Sequence, residues 1–195
     1  MNNTKLALDA LLTRYVNLVK AEYNTYPSVN FEPPWPSPCT EAVEQRGEQQ
    51  GEKQGEKISY WRPVERNDYR IFNELEQALE LSFREDFKQF YGSFWSNGIC
   101  VERDDINFNL IQIWNEEDQE QLKENILGHA FAKLKSRQPL SYFIGCTHGD
   151  DVICIEHETG EITLEKPGKK AHKTLAPTLE AFLLSLNPML DKYNT

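Results

Sequence analysis

The sequence predicts an α+β fold in which helices flank a mostly antiparallel sheet of five or six strands. Amphipathic helical spacing recurs near both ends of the chain and again in its middle. Runs of β-branched and aromatic residues are separated by tight-turn formers, too short for the crossovers that parallel strands require. A chain of 195 residues has the size of one domain with its own core.

From residue 4 to 23, Leu8, Leu11, Leu12, Tyr15, Leu18 and Val19 recur at helical steps and form one apolar face. Proline disfavours a helical residue ahead of it, so this helix ends before Pro27. Pro33, Pro34, Pro36 and Pro38 then impose an extended segment that Trp35 anchors. Residues 41–57 carry a four-residue glycine-glutamate repeat with almost no apolar side chain, which predicts a flexible surface insertion. A short strand over 58–63 follows. Next come two helical patterns, one with Phe72, Leu75 and Leu79, the other with Phe83, Phe87, Phe90, Tyr91 and Phe94. Ser82 and Glu85 offer a capping box where the second begins.

Residues 99–104 and 106–113 read as a hairpin around Asp104 and Asp105. Asn115 caps the next helix, whose expected buried stripe is Leu122, Ile126, Leu127, Ala130, Phe131 and Leu134. Lys133, Lys135 and Arg137 suit the negative end of its dipole. Residues 140–146, 151–157 and 161–165 form three further strands in a meander. After Lys169, Lys170 and Lys173, a last helix starts near Pro177, buries Leu179, Phe182, Leu183 and Leu186, and closes at Pro188.

Thirty-one acidic against 21 basic residues leave a net charge of −10. Such a field repels phosphate backbones and anionic lipid and attracts basic partners, so nucleic acid is not an expected ligand. No apolar run reaches the ~18 residues of a membrane span and no leader pattern opens the chain, which places it in the cytosol. Cys39, Cys100, Cys146 and Cys154 are irregularly spaced, as reduced buried thiols are.

No phosphate-binding loop, dinucleotide fingerprint, zinc-protease or nucleophile-elbow motif occurs. Cys146, His148, Asp150, Asp151, Cys154 and His157 are the best metal candidates for a hydrolase, but their spacing matches no standard zinc arrangement. His129 shows no catalytic partner in the sequence and reads as an interior or boundary histidine. The expectation is therefore no catalytic residue, no metal and no cofactor. The acids are more informative. Asp104 and Asp105 sit in the hairpin, Glu116, Glu117, Asp118, Glu120 and Glu124 on the next helix, Asp150 in a later turn and Asp151 at the start of the strand after it. The strand between hairpin and helix sets the first two groups at opposite ends of the sheet. A shared negative flank is the candidate partner-binding surface.

Pro36-Ser-Pro-Cys39, Trp61-x-Pro63, Leu110-Ile-Gln-Ile-Trp114 with its trailing acids, and Glu124 through His129 occur here in the order seen in the Syd family. Gly160-Glu161 and Leu179-Glu-Ala-Phe-Leu183 continue a resemblance that covers nearly the whole chain. Residues 41–57 depart from it. The resemblance implies a SUKH-like α+β fold and a concave electronegative face that receives the basic cytosolic loops of SecY. It further implies peripheral attachment, through SecY, to the cytoplasmic side of the inner membrane, where the protein monitors or restrains translocon assembly. An immunity-type protein neutralising a basic toxin is the alternative within the same superfamily.

Overall fold

A run of antiparallel strands forms the centre of the computed structural model, which describes residues 3–45 and 57–190. In chain order the elements are α1 (Asn3–Tyr23), β1 (Ser28–Asn30), β2 (Thr40–Gln45), β3 (Lys57–Trp61), β4 (Val64–Glu65), α2 (Arg70–Leu79), α3 (Glu85–Gly92) and β5 (Phe94–Trp95). They continue with β6 (Ile99–Arg103), β7 (Ile106–Leu110), α4 (Glu116–Lys135), β8 (Ser141–Thr147), β9 (Val152–Glu156), β10 (Ile162–Glu165), β11 (Ala171–Ala176), α5 (Leu179–Ser185) and β12 (Asn187–Pro188). The main sheet runs β11-β10-β9-β8-β7-β6-β12, and every pair in it is antiparallel. It has seven strands where five or six were expected. The additions are β11, whose first four residues are exposed, and β12, which pairs Asn187 and Pro188 with β6.

The α+β class holds, and several elements follow directly from their sequence patterns. Leu8, Leu11, Leu12, Tyr15 and Val19 of α1 are buried, and Asp104 and Asp105 turn β6 into β7 with φ of 50° and 61°. Positive φ at both turn residues matches the right-handed twist of the strands, and aspartate tolerates it better than most residues. Ser82 does not cap α3. Instead, Glu76 Oε1 accepts the Phe83 N–H at 2.8 Å, after Glu80 at φ 54° has ended α2.

Residues 41–45, assigned to the insertion from sequence, form the exposed outer strand of a small sheet ordered β1-β3-β2. Residue 57 opens β3, and the repeat at 46–56 lies outside the described residues.

Strands β8 to β10 are covered on both faces. In register, Tyr142 faces Ile155 and Ile155 faces Ile162; Tyr142 packs on Phe83 and Phe87 with ring centroids 4.6 and 5.0 Å away. Such aromatic pairs contribute about 0.5–1.5 kcal/mol each beyond simple area burial. Phe143, Cys154 and Thr163 share the other face, where α4 lies. Double coverage explains why all four residues of β10 are buried, Glu165 among them.

Candidate partner-binding surface

Proline lacks an N–H, so the segment around 33–38 cannot join a sheet and must satisfy its carbonyls elsewhere. The start of α4 does this. Trp114 Nε1 donates to the Trp35 carbonyl at 3.4 Å and Asn115 Nδ2 to the Pro36 carbonyl at 3.0 Å, while Ser37 Oγ donates to the Trp114 carbonyl at 2.6 Å. Asn115 also caps α4, its Oδ1 accepting the Asp118 N–H at 2.9 Å, a contact worth about 1 kcal/mol. Asp118 returns the favour to the preceding chain: its Oδ2 accepts the Trp114 N–H at 3.1 Å. Beneath them Trp114 meets Trp61 edge-on at 6.1 Å, and Trp61 stacks on Tyr15. Three of the segments behind the resemblance, around Pro36, Trp61 and Trp114, therefore converge on one spot.

Two adjoining hollows open along this seam and share Pro36. One, of about 310 Å³, is lined by Phe31, Glu32, Trp35, Asn97, Trp114 and Asp118 among others. The other, of about 620 Å³, has Pro34, Pro38, Trp95, Glu116 and Glu117 on its walls. Burial raises the Asp118 carboxyl above its ordinary value, the Trp114 N–H opposing and the Glu117 charge adding. Glu32 was missed from sequence because it stands alone, far from the acidic run; only the fold brings it to Asp118.

The nine sequence-predicted acids fall into two groups. Glu116, Glu117, Asp118, Glu120 and Glu124 follow the α4 cap. Phe108 pairs with Thr147 and Glu165 with Val152, so the Asp104–Asp105 turn and the 148–151 turn share the opposite end of the sheet. There, cationic side chains are close to two of the four: Arg103 lies 3.2 Å from Asp104 and Lys166 3.7 Å from Asp150, while the His172 ring lies 3.8 Å from Asp151. At the α4 end Glu120 pairs with Lys123 at 2.5 Å, whereas Glu116, Glu117 and Glu124 have no cationic side chain within 4 Å among the described residues. Glu116 feels Arg66 and Arg70 at longer range.

The metal candidates separate. His148 is exposed in the turn before β9, and His157 follows β9 at its other end, with Nδ1 3.0 Å from the Tyr142 hydroxyl. Cys154 joins neither of them. Its thiol is grouped with His129 and Glu165, ligand atoms all within 4.8 Å of one another, beneath α4. His129 thus has partners that the sequence did not reveal: Nε2 lies 3.4 Å from both Ser141 Oγ and Glu165 Oε1.

Lys133, in the last turn of α4 as expected, is buried and donates to Glu165 Oε2 at 2.7 Å and to the Lys169 carbonyl at 3.1 Å. Ser141 Oγ and Cys154 Sγ donate to Glu165 Oε1 at 2.8 and 3.2 Å. Burial alone would raise the Glu165 pKa, but hydrogen bonds from His129, Lys133, Ser141 and Cys154 bring it to about 2. Burial pushes the Cys154 thiol well up, the Glu165 charge adding to it, so the thiol is a donor and not a nucleophile here. The Lys133 ammonium already supplies this site's positive charge. With Lys133 turned inward, Phe131 and Leu134, expected in the buried stripe, are exposed.

The profile of the family described as Syd protein (SUKH-2) matches residues 5–188. Among curated relatives, Protein Syd of Hahella chejuensis is 41% identical over 157 residues, 80% of this chain and 77% of that protein. Protein Syd of Pseudoalteromonas atlantica is 34% identical over 185 residues, 93% and 94% of the two chains. Protein Syd of Aliivibrio fischeri is 31% identical over 185 residues, 94% and 95% of the two. No helix among the described residues is long and apolar enough to cross a membrane.

Proposed function

The chain belongs to the Syd family, and from that premise we propose that it binds the basic cytosolic loops of the SecY subunit of the protein translocation channel. The observation that carries this reading is the pair Glu116 and Glu117, exposed on the wall of a hollow with no cation within 4 Å among the described residues. Carboxylates left open in this way steer a basic segment into register, and the partner's positive charge offsets the cost of desolvating them. Glu120 and Glu124 extend the same negative flank along α4. Asp104, Asp105, Asp150 and Asp151 lie at the far end of the sheet, where Asp104 and Asp150 have cations of their own, and add only to the long-range field. Cytoplasmic loops of membrane proteins are rich in lysine and arginine, while a chain of net charge −10 is repelled by anionic lipid. Attachment to the cytoplasmic side of the inner membrane therefore runs through SecY, and holding those loops monitors or restrains translocon assembly. The role is binding, with no reaction to catalyse.

Capture of detergent-solubilised SecY on the immobilised protein tests this reading. Glu116→Lys with Glu117→Lys weakens capture about tenfold or more, whereas Asp104→Asn with Asp105→Asn, which keeps a turn-tolerant residue at both positions, leaves it nearly intact. Equal capture by all three proteins rules the α4 end out as the docking surface.

A further inference from the structure

We propose that the smaller hollow, between the proline-rich segment and the first turn of α4, receives one arginine side chain of the basic partner. The inference rests on the reading that this chain docks a basic segment, and adds the chemistry of a single anchoring residue.

Four features of the hollow point to a guanidinium. Its volume of about 310 Å³ suits one side chain better than a folded element. Phe31, Trp35 and Trp114 supply aromatic walls, on whose faces a cation is attracted. Two carboxylates, Glu32 and Asp118, complete the lining, and neither has a cationic side chain within 4 Å among the described residues. Asp118 spends Oδ2 on the Trp114 N–H, which leaves Oδ1 for a ligand.

Competing ligands fit poorly. A phosphate or carboxylate meets two like charges, and an apolar side chain strips water from the Asp118 carboxylate and returns nothing. Lysine offers one compact ammonium, whereas the planar guanidinium can lie on an aromatic wall and donate to both carboxylates at once. The same corner of the molecule already uses that mode: Arg66 lies over the Trp95 ring, 3.9 Å from its centroid, and Trp95 lines the neighbouring hollow.

Titration with N-acetylarginine amide, read at the indole N–H resonances of the four tryptophans, tests the assignment. The expected result is a saturable shift at Trp35 and Trp114, absent with N-acetylnorleucine amide. Asp118→Asn, which retains an oxygen to accept the Trp114 N–H, weakens binding about tenfold, and exposed Glu32→Gln weakens it by a smaller factor. No saturable shift, an equal shift with the neutral amide, tighter binding of N-acetyllysine amide, or indifference to Asp118→Asn overturns the proposal. Capture of solubilised SecY separates the two readings. If wild-type protein saturates with the arginine amide but captures no SecY, docking fails and the pocket stands. If Asp118→Asn and Glu32→Gln capture SecY at full strength and no amide binds, the pocket fails and docking stands.

Discussion

Near its C-terminal end α4 meets a buried carboxylate, Glu165, held by Lys133 and by hydrogen bonds from Ser141 and Cys154. At its first turn the same helix carries Asp118, half-buried, with one backbone N–H and no cation within 4 Å among the described residues. The two carboxyls respond in opposite directions: the surrounding donors pull Glu165 down to about 2 against its burial, while burial pushes Asp118 up. A charge matched inside the chain serves the fold. One left unmatched at a hollow is available to a partner, and that contrast can be broken at either end.

The largest effect belongs to the matched end. Lys133→Met leaves a buried carboxylate without its cation and lowers unfolding free energy by about 3–5 kcal/mol in urea titrations. Adding Glu165→Leu recovers most of that loss. A single variant within about 1 kcal/mol of wild type denies that the pair holds the fold.

Acid exposes the same contrast. Because the folded Glu165 pKa lies below its ordinary 4.5, its stabilisation is complete above that value and is lost as pH falls toward 2. The difference in stability between wild type and Glu165→Gln therefore shrinks by about 3 kcal/mol over that window, at ~1.4 kcal/mol per unit. Asp118 has the reverse sign: its raised pKa makes ionisation a cost at neutral pH that disappears below the ordinary 3.8, so Asp118→Asn does not share the acid sensitivity of Glu165→Gln. Parallel pH profiles for the two variants contradict the distinction.

At the open end, Glu116→Lys with Glu117→Lys weakens SecY binding about tenfold or more. Its stability cost stays at about 0.3–1 kcal/mol per residue, the loss of acids from a helix N-terminus. Smallest of all, Phe131→Gln and Leu134→Gln change stability by no more than about 0.5 kcal/mol each, since both side chains are already exposed.

What could be read from sequence follows from how local each signal is. The face of α1, the Asp104–Asp105 turn and the Asn115 cap each depend on neighbours within a turn or two, and each was read correctly. Strand β2 escaped because all but its first residue are exposed, leaving no alternation to detect, and the exposed start of β11 hid that strand among lysines. Lys133 stands in the last turn of α4, where a basic residue was expected, but its pairing could not be read because its partner Glu165 lies far along the chain. Once Lys133 turns inward, helical geometry carries Phe131 and Leu134 outward. The acidic run of α4 was visible in sequence, but the hollows beside it were not, because Glu32, Trp35 and Trp95 reach them from separate segments.

The affinity for detergent-solubilised SecY, measured at ~0.05 and ~0.15 M salt for wild type and for Glu116→Lys with Glu117→Lys, tests the central claim most directly. Wild-type affinity should fall clearly across that range, and the variant should bind weakly with a much flatter dependence. Equal affinities and equal salt dependence for the two proteins would contradict the account.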